Sequence, residues 1–189
     1  KWLQIEFPDI YKATSKDNDV ATTIFEIGCG AGNTFFPILS QNGNPNLRIF
    51  ACDYLKVAVD LVKKNEVFVE QLEAKIAFSS VWDLANIEGE IPEDMRLNEA
   101  DIVIMIFVFS ALAPEQWQQA VANLKKVCKP GCKILFRDYG RYDLAQVRFK
   151  KNRLLDDNFY VRGDGTRVYF FTEEELRDIF CVQNGFIEE

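Results

Sequence analysis

Histidine is absent from this 189-residue sequence. That zero excludes His-based general base catalysis, Ser–His–Asp triads, His-ligated zinc or iron, and the zinc deaminase centre. Long apolar runs are missing too: none approaches the ~20 residues needed to span a bilayer, and no signal peptide is present, so no membrane association is expected. Cysteines are few, odd in number and scattered (Cys29, Cys52, Cys128, Cys132, Cys181). They define no disulfide framework and point to a reducing compartment, the cytoplasm first and the nucleus second. The Cys128/Cys132 spacing could hold a metal on a helix, but nothing beside it supplies further ligands. Packing cysteines are expected, and no metal. Positive charge is also short, with 22 Lys+Arg against 29 Asp+Glu and a net of −7, which on its face argues against nucleic acid. The chain opens on Lys1 rather than Met, and it reads as a trimmed piece.

What is present is a globular composition, 48% hydrophobic and 27% charged, enough for one domain with a sizeable core. Strand and helix patterns alternate along it. Ile24–Ile27 reads as a strand entering the cluster Gly28, Gly30 and Gly32, and Asn33 to Leu39 as the start of a helix. Arg48–Asp53 is a second strand, followed by a helical face of Leu55, Val59 and Val62 ending near Asn65. Lys75–Val81 is a third strand. Asp101–Phe109, apolar at nearly every position, reads as a central strand covered on both faces.

A helix from Pro114 carries the stripe Trp117, Val121, Leu124 and Val127 or Cys128 down to Lys129, is broken at Pro130–Gly131, and leads to a fifth strand, Lys133–Phe136. Thr172 with Glu175 makes a capping box for a helix to about Cys181, ended by Gly185. Such alternation predicts α/β class, a doubly wound, mostly parallel sheet. It divides as 1–22, the remnant of a preceding segment, and 23–189, the domain.

In such sheets a ligand lies beyond the carboxyl ends of the strands, at the topological switch point. Glu26-Ile27-Gly28-Cys29-Gly30-Ala31-Gly32 follows strand one, where missing Cβ atoms let backbone approach a ligand. Asp53 ends strand two, placed to accept from both ribose hydroxyls of a nucleoside. Asp83, after strand three, could accept from an exocyclic amine while Leu84 packs on the purine. Ile106 closes strand four. The glycines could instead only make a tight turn, and Asp53 and Asp83 could only cap the helices that follow. The GxGxG spacing differs from the GxGxxG that seats a pyrophosphate. S-adenosylmethionine has no phosphate, and Glu26 would lie near its methionine ammonium. The chain therefore resembles the class I S-adenosylmethionine-dependent methyltransferases, Rossmann-like enzymes that release S-adenosylhomocysteine.

Three downstream strings sharpen the resemblance: Ile104-Met105-Ile106-Phe107-Val108-Phe109-Ser110-Ala111-Leu112, Leu135-Phe136-Arg137-Asp138-Tyr139-Gly140, and Asn158 to Phe171. They are similar to the eukaryotic, particularly fungal, tRNA 3-methylcytidine methyltransferases, which methylate N3 of an anticodon-loop cytidine (position 32) in threonine and serine tRNAs. The resemblance implies tRNA(Thr) and/or tRNA(Ser) as partner, with seryl-tRNA synthetase or another helper in some relatives. It puts cofactor roles on Gly28, Gly30, Asp53, Asp83 and Ile106. It also implies an aromatic and basic N-terminal segment, of which Lys1-Trp2-Leu3 would be the tail, and one or two last strands beyond the end of this chain.

Methyl transfer to N3 uses an existing lone pair, so lack of histidine costs the reaction nothing and alignment can dominate. The product base is cationic, and Asp138 is the candidate carboxylate to stabilise it. It could equally only pair with Arg137 or Arg141. Tyr139, Tyr142, Phe159 and Tyr160 are candidates for holding a splayed-out base, against core packing. Arg137, Arg141, Arg148, Lys150, Lys151, Arg153 and Arg162 are candidates for RNA contact, against an ordinary solvated face.

Rival readings are a methyltransferase for a protein or small molecule, a non-catalytic cofactor-binding subunit, and a nicotinamide oxidoreductase. From Lys125 to Arg167 there are 12 Lys+Arg against 5 Asp+Glu, a local +7 that leaves −14 elsewhere. A basic lobe therefore coincides with the RNA-facing segment, and weak tRNA binding by the chain alone is expected.

Overall fold

The computed structural model describes Ile5 and residues 21–189. The N-terminal remnant, including Lys1-Trp2-Leu3, lies outside the described residues apart from Ile5, Ala21 and Thr22, the last of which already belongs to the first strand. Two compact units are formed. One takes in the chain through Asp83 with Ile91–Ile104 and Val127–Leu135; the other takes in Leu84–Glu90, Met105–Lys126 and Phe136–Glu189.

The main sheet begins with β1 (Thr22–Ile27), β2 (Leu47–Asp53) and β3 (Ala77–Val81), the first apolar at half its positions and the other two at most of theirs. They pair in parallel, Thr22 opposite Leu47 through Ile27 opposite Cys52, and Ile49 opposite Ala77 through Asp53 opposite Val81. With β4 (Ala100–Ile106) and β5 (Cys128–Arg137) the order is β3-β2-β1-β4-β5. The chain runs outward from β1 to β3 and then returns beside β1, so the switch point falls between β1 and β4. Ile24, Phe25, Ile49, Phe50, Val103 and Ile104 are almost fully buried, as strands covered on both faces require.

Helices α1 (Phe35–Gln41), α2 (Lys56–Lys63) and α3 (Glu66–Glu73) connect these strands. The sequence pattern reaches only the first two. Asn65, where the apolar period stops, accepts from the Val67 N–H and thereby caps α3.

Two boundaries differ from the sequence expectation. The strand expected to reach Phe109 ends at Ile106. Phe107 takes a left-handed φ of 57°, its N–H donates to the Arg137 carbonyl at 2.8 Å, and Phe109–Ala111 forms a single 3₁₀ turn. The helix expected to reach Lys129 is α4 (Trp117–Val127), and β5 starts at once, running through Pro130 and Gly131. An edge strand tolerates proline, because no neighbour on that side needs its missing N–H.

The second unit is an aromatic cluster. Phe109 lies 5.0 to 6.1 Å, ring to ring, from Trp117, Phe136, Phe171 and Phe180. Helix α5 (Leu144–Val147) and a three-stranded sheet of β6 (Leu154–Asp156), β7 (Phe159–Val161) and β8 (Arg167–Tyr169) follow, the sheet having no counterpart in the sequence expectation. These strands have three residues each, too few for a period-2 pattern to register. The Thr172 capping box forms as expected. Glu175 N–H donates to Thr172 Oγ1 at 3.1 Å and Thr172 N–H to Glu175 Oε2 at 2.7 Å, opening α6 (Glu173–Arg177), which continues as one π turn to Val182.

Candidate active site

The glycine loop is built from left-handed backbone. Gly28, Gly30 and Gly32 have φ of 71°, 53° and 84°, a region L side chains enter only at a cost. The N–H groups of Gly28 and Cys29 both donate to the Cys52 carbonyl, at 2.7 and 3.0 Å, so the loop folds back on the end of β2. Gly32 needs its missing Cβ for room, because one would lie 2.5 Å from the Phe36 ring. At Gly30 a Cβ would meet nothing within 4 Å, and the backbone there borders open space.

Three carboxylates accompany the loop in the same unit. Asp53 accepts from Gly30 N–H at 2.9 Å and from Leu55 N–H at 2.8 Å. It therefore both starts the turn into α2 and braces the loop, and each oxygen keeps a lone pair for a hydroxyl donor. Glu26 is 4% exposed. It accepts from the Thr34 hydroxyl and the Phe35 N–H, while its Oε2 is buried without a partner. Burial, with Asp53 adding to it against those two hydrogen bonds, pushes the Glu26 carboxyl up to about 8. A buried carboxylate oxygen without a donor, beside an open glycine backbone, fits a cationic ligand group. Asp83 is half-buried and follows Trp82, whose ring lies 5.5 Å from Phe25 and whose N–H donates to the Asp53 carbonyl.

In the second unit, Leu84 is buried and Asn123 binds its carbonyl at 2.9 Å; Ile106, at the end of β4, is half-buried. Asp138 follows β5 and pairs with neither arginine, contrary to one of the two expectations for it. Its carboxylate accepts from Ser110 N–H and Tyr139 N–H, both at 2.9 Å, and so fixes the turn after β4 to the turn after β5. Burial raises the Asp138 carboxyl above its ordinary value, and donors from Ser110, Tyr139 and Phe109 oppose the rise.

Around this clamp stand four side chains in a row. The Arg137 guanidinium lies 5.5 Å over the Phe107 ring, Phe107 is 4.7 Å from Tyr139, and Arg162 lies 5.1 Å over Tyr139 and donates to its hydroxyl. The sequence reading names Arg137, Tyr139 and Arg162 but misses Phe107, taken there as strand interior. The apolar run continues to Phe109, so the sequence around Phe107 carries no signal that the strand ends before it. Phe107 is 43% exposed. A non-glycine residue in left-handed backbone, exposed and flanked by cations, is the geometry of a platform for a flat ring.

Other candidates separate. Arg141 is mostly buried, its Nη2 donating to Glu175, the Tyr169 hydroxyl and the Phe170 carbonyl, so it anchors the fold and is not a surface group. Phe159 is buried, Tyr142 is exposed, and Tyr160 packs on Phe149 at 4.8 Å. Arg148 and Lys150 are exposed.

A five-stranded sheet in this order with a glycine loop after β1 defines a Rossmann-like class I methyltransferase fold. The PH0226 protein of Pyrococcus horikoshii OT3 shares it, with a TM-score of 0.61 at 15% identity over 95% of this chain and 87% of that one. The family model described as "Methyltransferase domain" matches residues 25–134, and the chain belongs to that family. It is 63% identical over 95% of its length to the tRNA(Thr) (cytosine(32)-N(3))-methyltransferase of Saccharomyces cerevisiae, covering 28% of that protein. It is 50% identical over 98% of its length to the tRNA N(3)-methylcytidine methyltransferase of Schizosaccharomyces pombe, covering 60% of that one. The chain thus spans less than two thirds of either relative.

Proposed function

We propose that the chain is the catalytic part of an enzyme that transfers a methyl group from S-adenosylmethionine to N3 of cytidine 32 in tRNA(Thr), in the cytoplasm. The relatives' names support this reading of the substrate. The observation that carries it is the Arg137–Phe107–Tyr139–Arg162 row, which suits a flat base and its neighbouring phosphates better than a peptide or small metabolite. A serine tRNA, presented with seryl-tRNA synthetase or another helper protein, is the second substrate to test.

When bound, S-adenosylmethionine supplies an electrophilic methyl on a sulfonium. Glu26 would offer its unpartnered oxygen to the ammonium, Asp53 would accept from the ribose hydroxyls, and Asp83 would accept from the exocyclic amine of the adenine. Phe107 and Tyr139 would hold the extruded cytosine by stacking, and its N3 lone pair needs no prior proton removal. Positive charge appears on the base as the bond forms. Asp138, which follows β5 and accepts from Ser110 in the turn after β4, lowers the cost of that charge while holding the Phe107 turn in place.

The direct test is incubation with S-adenosylmethionine and unmodified tRNA(Thr). 3-Methylcytidine should appear at position 32 and nowhere in a transcript with uridine there; methylation of protein but not of tRNA would overturn the reading. Asp138→Asn separates charge from positioning. If charge matters, turnover falls about 100-fold with cofactor affinity intact, in the range for loss of one preorganised electrostatic group. Unchanged turnover would leave Asp138 only its structural role.

A further inference from the structure

Five of the twelve cations of the basic lobe are consumed inside the fold. Lys125 donates to the Asn184 carbonyl, Lys126 to the Gly89 carbonyl, Lys129 pairs with Asp101, Arg141 with Glu175, and Arg167 donates to Ala111 and Gln116. Four of the others gather at one place. Arg148, Lys150, Arg153 and Arg162 line a concavity of about 300 Å³ with Phe149 and Gly163 on its wall, and no carboxylate is among its lining residues. Of the acids nearby in sequence, Asp143 accepts from Ala145 and Gln146 N–H, and Asp164 accepts from Thr166 N–H while feeling the charge of Arg162. Arg153 is held in position, with Nη1 3.4 Å from the Arg162 carbonyl and its guanidinium lying across Gly163, where a Cβ would sit 4.0 Å from Nη2.

Four like charges around one small concavity repel each other unless an anion joins them. Three are arginines, whose planar forks match phosphate oxygens in pairs. Arg162 also lies over Tyr139. One side chain therefore serves both the cationic concavity and the aromatic row. From this sharing we infer that the concavity is a backbone-phosphate subsite, taking a phosphodiester of the RNA next to the nucleotide stacked on Phe107. The inference rests on the proposed RNA substrate and adds to it where the strand is gripped.

The test measures binding of a fluorescent anticodon stem-loop to the whole chain by anisotropy across a salt series, for wild type and for Arg148→Ala/Arg153→Ala. Both arginines are exposed, so the double variant should melt at the wild-type temperature and bind S-adenosylmethionine equally well by calorimetry. Its RNA dissociation constant should rise about tenfold at low salt. The slope of log affinity against log salt should fall by about 1 to 2, the loss of one or two phosphate contacts. Arg148→Lys/Arg153→Lys should recover the slope. Wild-type binding with an unchanged constant and slope in the double variant would overturn the subsite while leaving the substrate reading intact. Absence of any salt-dependent RNA binding by the wild type would remove both. Inorganic phosphate that raises the wild-type melting temperature without displacing the stem-loop would show an anion site unconnected to RNA, and would also overturn it.

Discussion

The turns after β1 and β2, in one compact unit, and those after β4 and β5, in the other, prepare for ligands in opposite ways. The first pair uses backbone: three left-handed glycines, one open to solvent space, braced by Asp53 and preceded by a buried acid with a spare oxygen. The second uses side chains: two rings in contact, each covered by a guanidinium, held by one carboxylate that joins two turns. Backbone recognition suits one invariant small ligand. Faces and cations suit a flexible polyanion whose bases must be pulled out and held.

Four substitutions or conditions test the division, from the largest effect down. Gly32→Val places a side chain against Phe36 in backbone that resists it, and should cost about 3 kcal/mol from strain and overpacking together. Calorimetric melting should show a fall of roughly 10 °C for a chain of this size. An unaltered melt would mean that this loop is far more pliable than described. Phe107→Ala should lower kcat/KM for tRNA by about 10- to 100-fold, the worth of one base stack, with cofactor affinity untouched. If the cofactor constant moves as much as the tRNA one, the two halves are not separate devices.

The third is a pH dependence. Without ligand the Glu26 carboxyl stays protonated up to about 8, whereas an ammonium partner favours its ionised form, so binding releases a proton. Affinity for S-adenosylmethionine should therefore rise with pH, by up to about tenfold per unit, until about 8. Above that the ligand's own α-amino group deprotonates and affinity turns over. Glu26→Gln should flatten the rising limb in isothermal titration. The unliganded protein should meanwhile lose stability as pH climbs from about 4.5 through 8, since its native state holds the extra proton. The smallest effect is Gly30→Ala, which meets no neighbour and costs only the left-handed backbone, about 1 kcal/mol. Its melting temperature should drop by a few degrees, less than a third of the Gly32→Val change.

The same division decided what was legible in the sequence. Gly28, Gly30, Gly32, Asp53 and Asp83 stand at the ends of strands that periodicity finds unaided, because a strand, a glycine turn and a helix are all local. The capping box at Thr172 was legible for the same reason. Beyond β4 the order depends on partners far along the chain. Phe107 leaves the strand because Arg137 offers it a carbonyl and Asp138 holds Ser110, 28 residues away. No pattern around residue 107 contains that information. Likewise Arg141 and Arg148 look alike in sequence, and only Glu175, 34 residues downstream of Arg141, makes one of them internal. The strands β6 to β8 are set by pairing across a tight hairpin in which Arg162 N–H donates to the Thr166 carbonyl, not by their three-residue patterns.

The left-handed backbone at Phe107 has a consequence for anyone engineering this protein. Glycine or asparagine would fit that conformation with less strain, and the relief, about 1 kcal/mol, is comparable to what a half-exposed ring contributes by stacking on Tyr139. A selection scored on heat resistance alone would thus find residue 107 nearly silent and accept its loss. On the proposed function, only a screen that counts modified RNA would see the position at all.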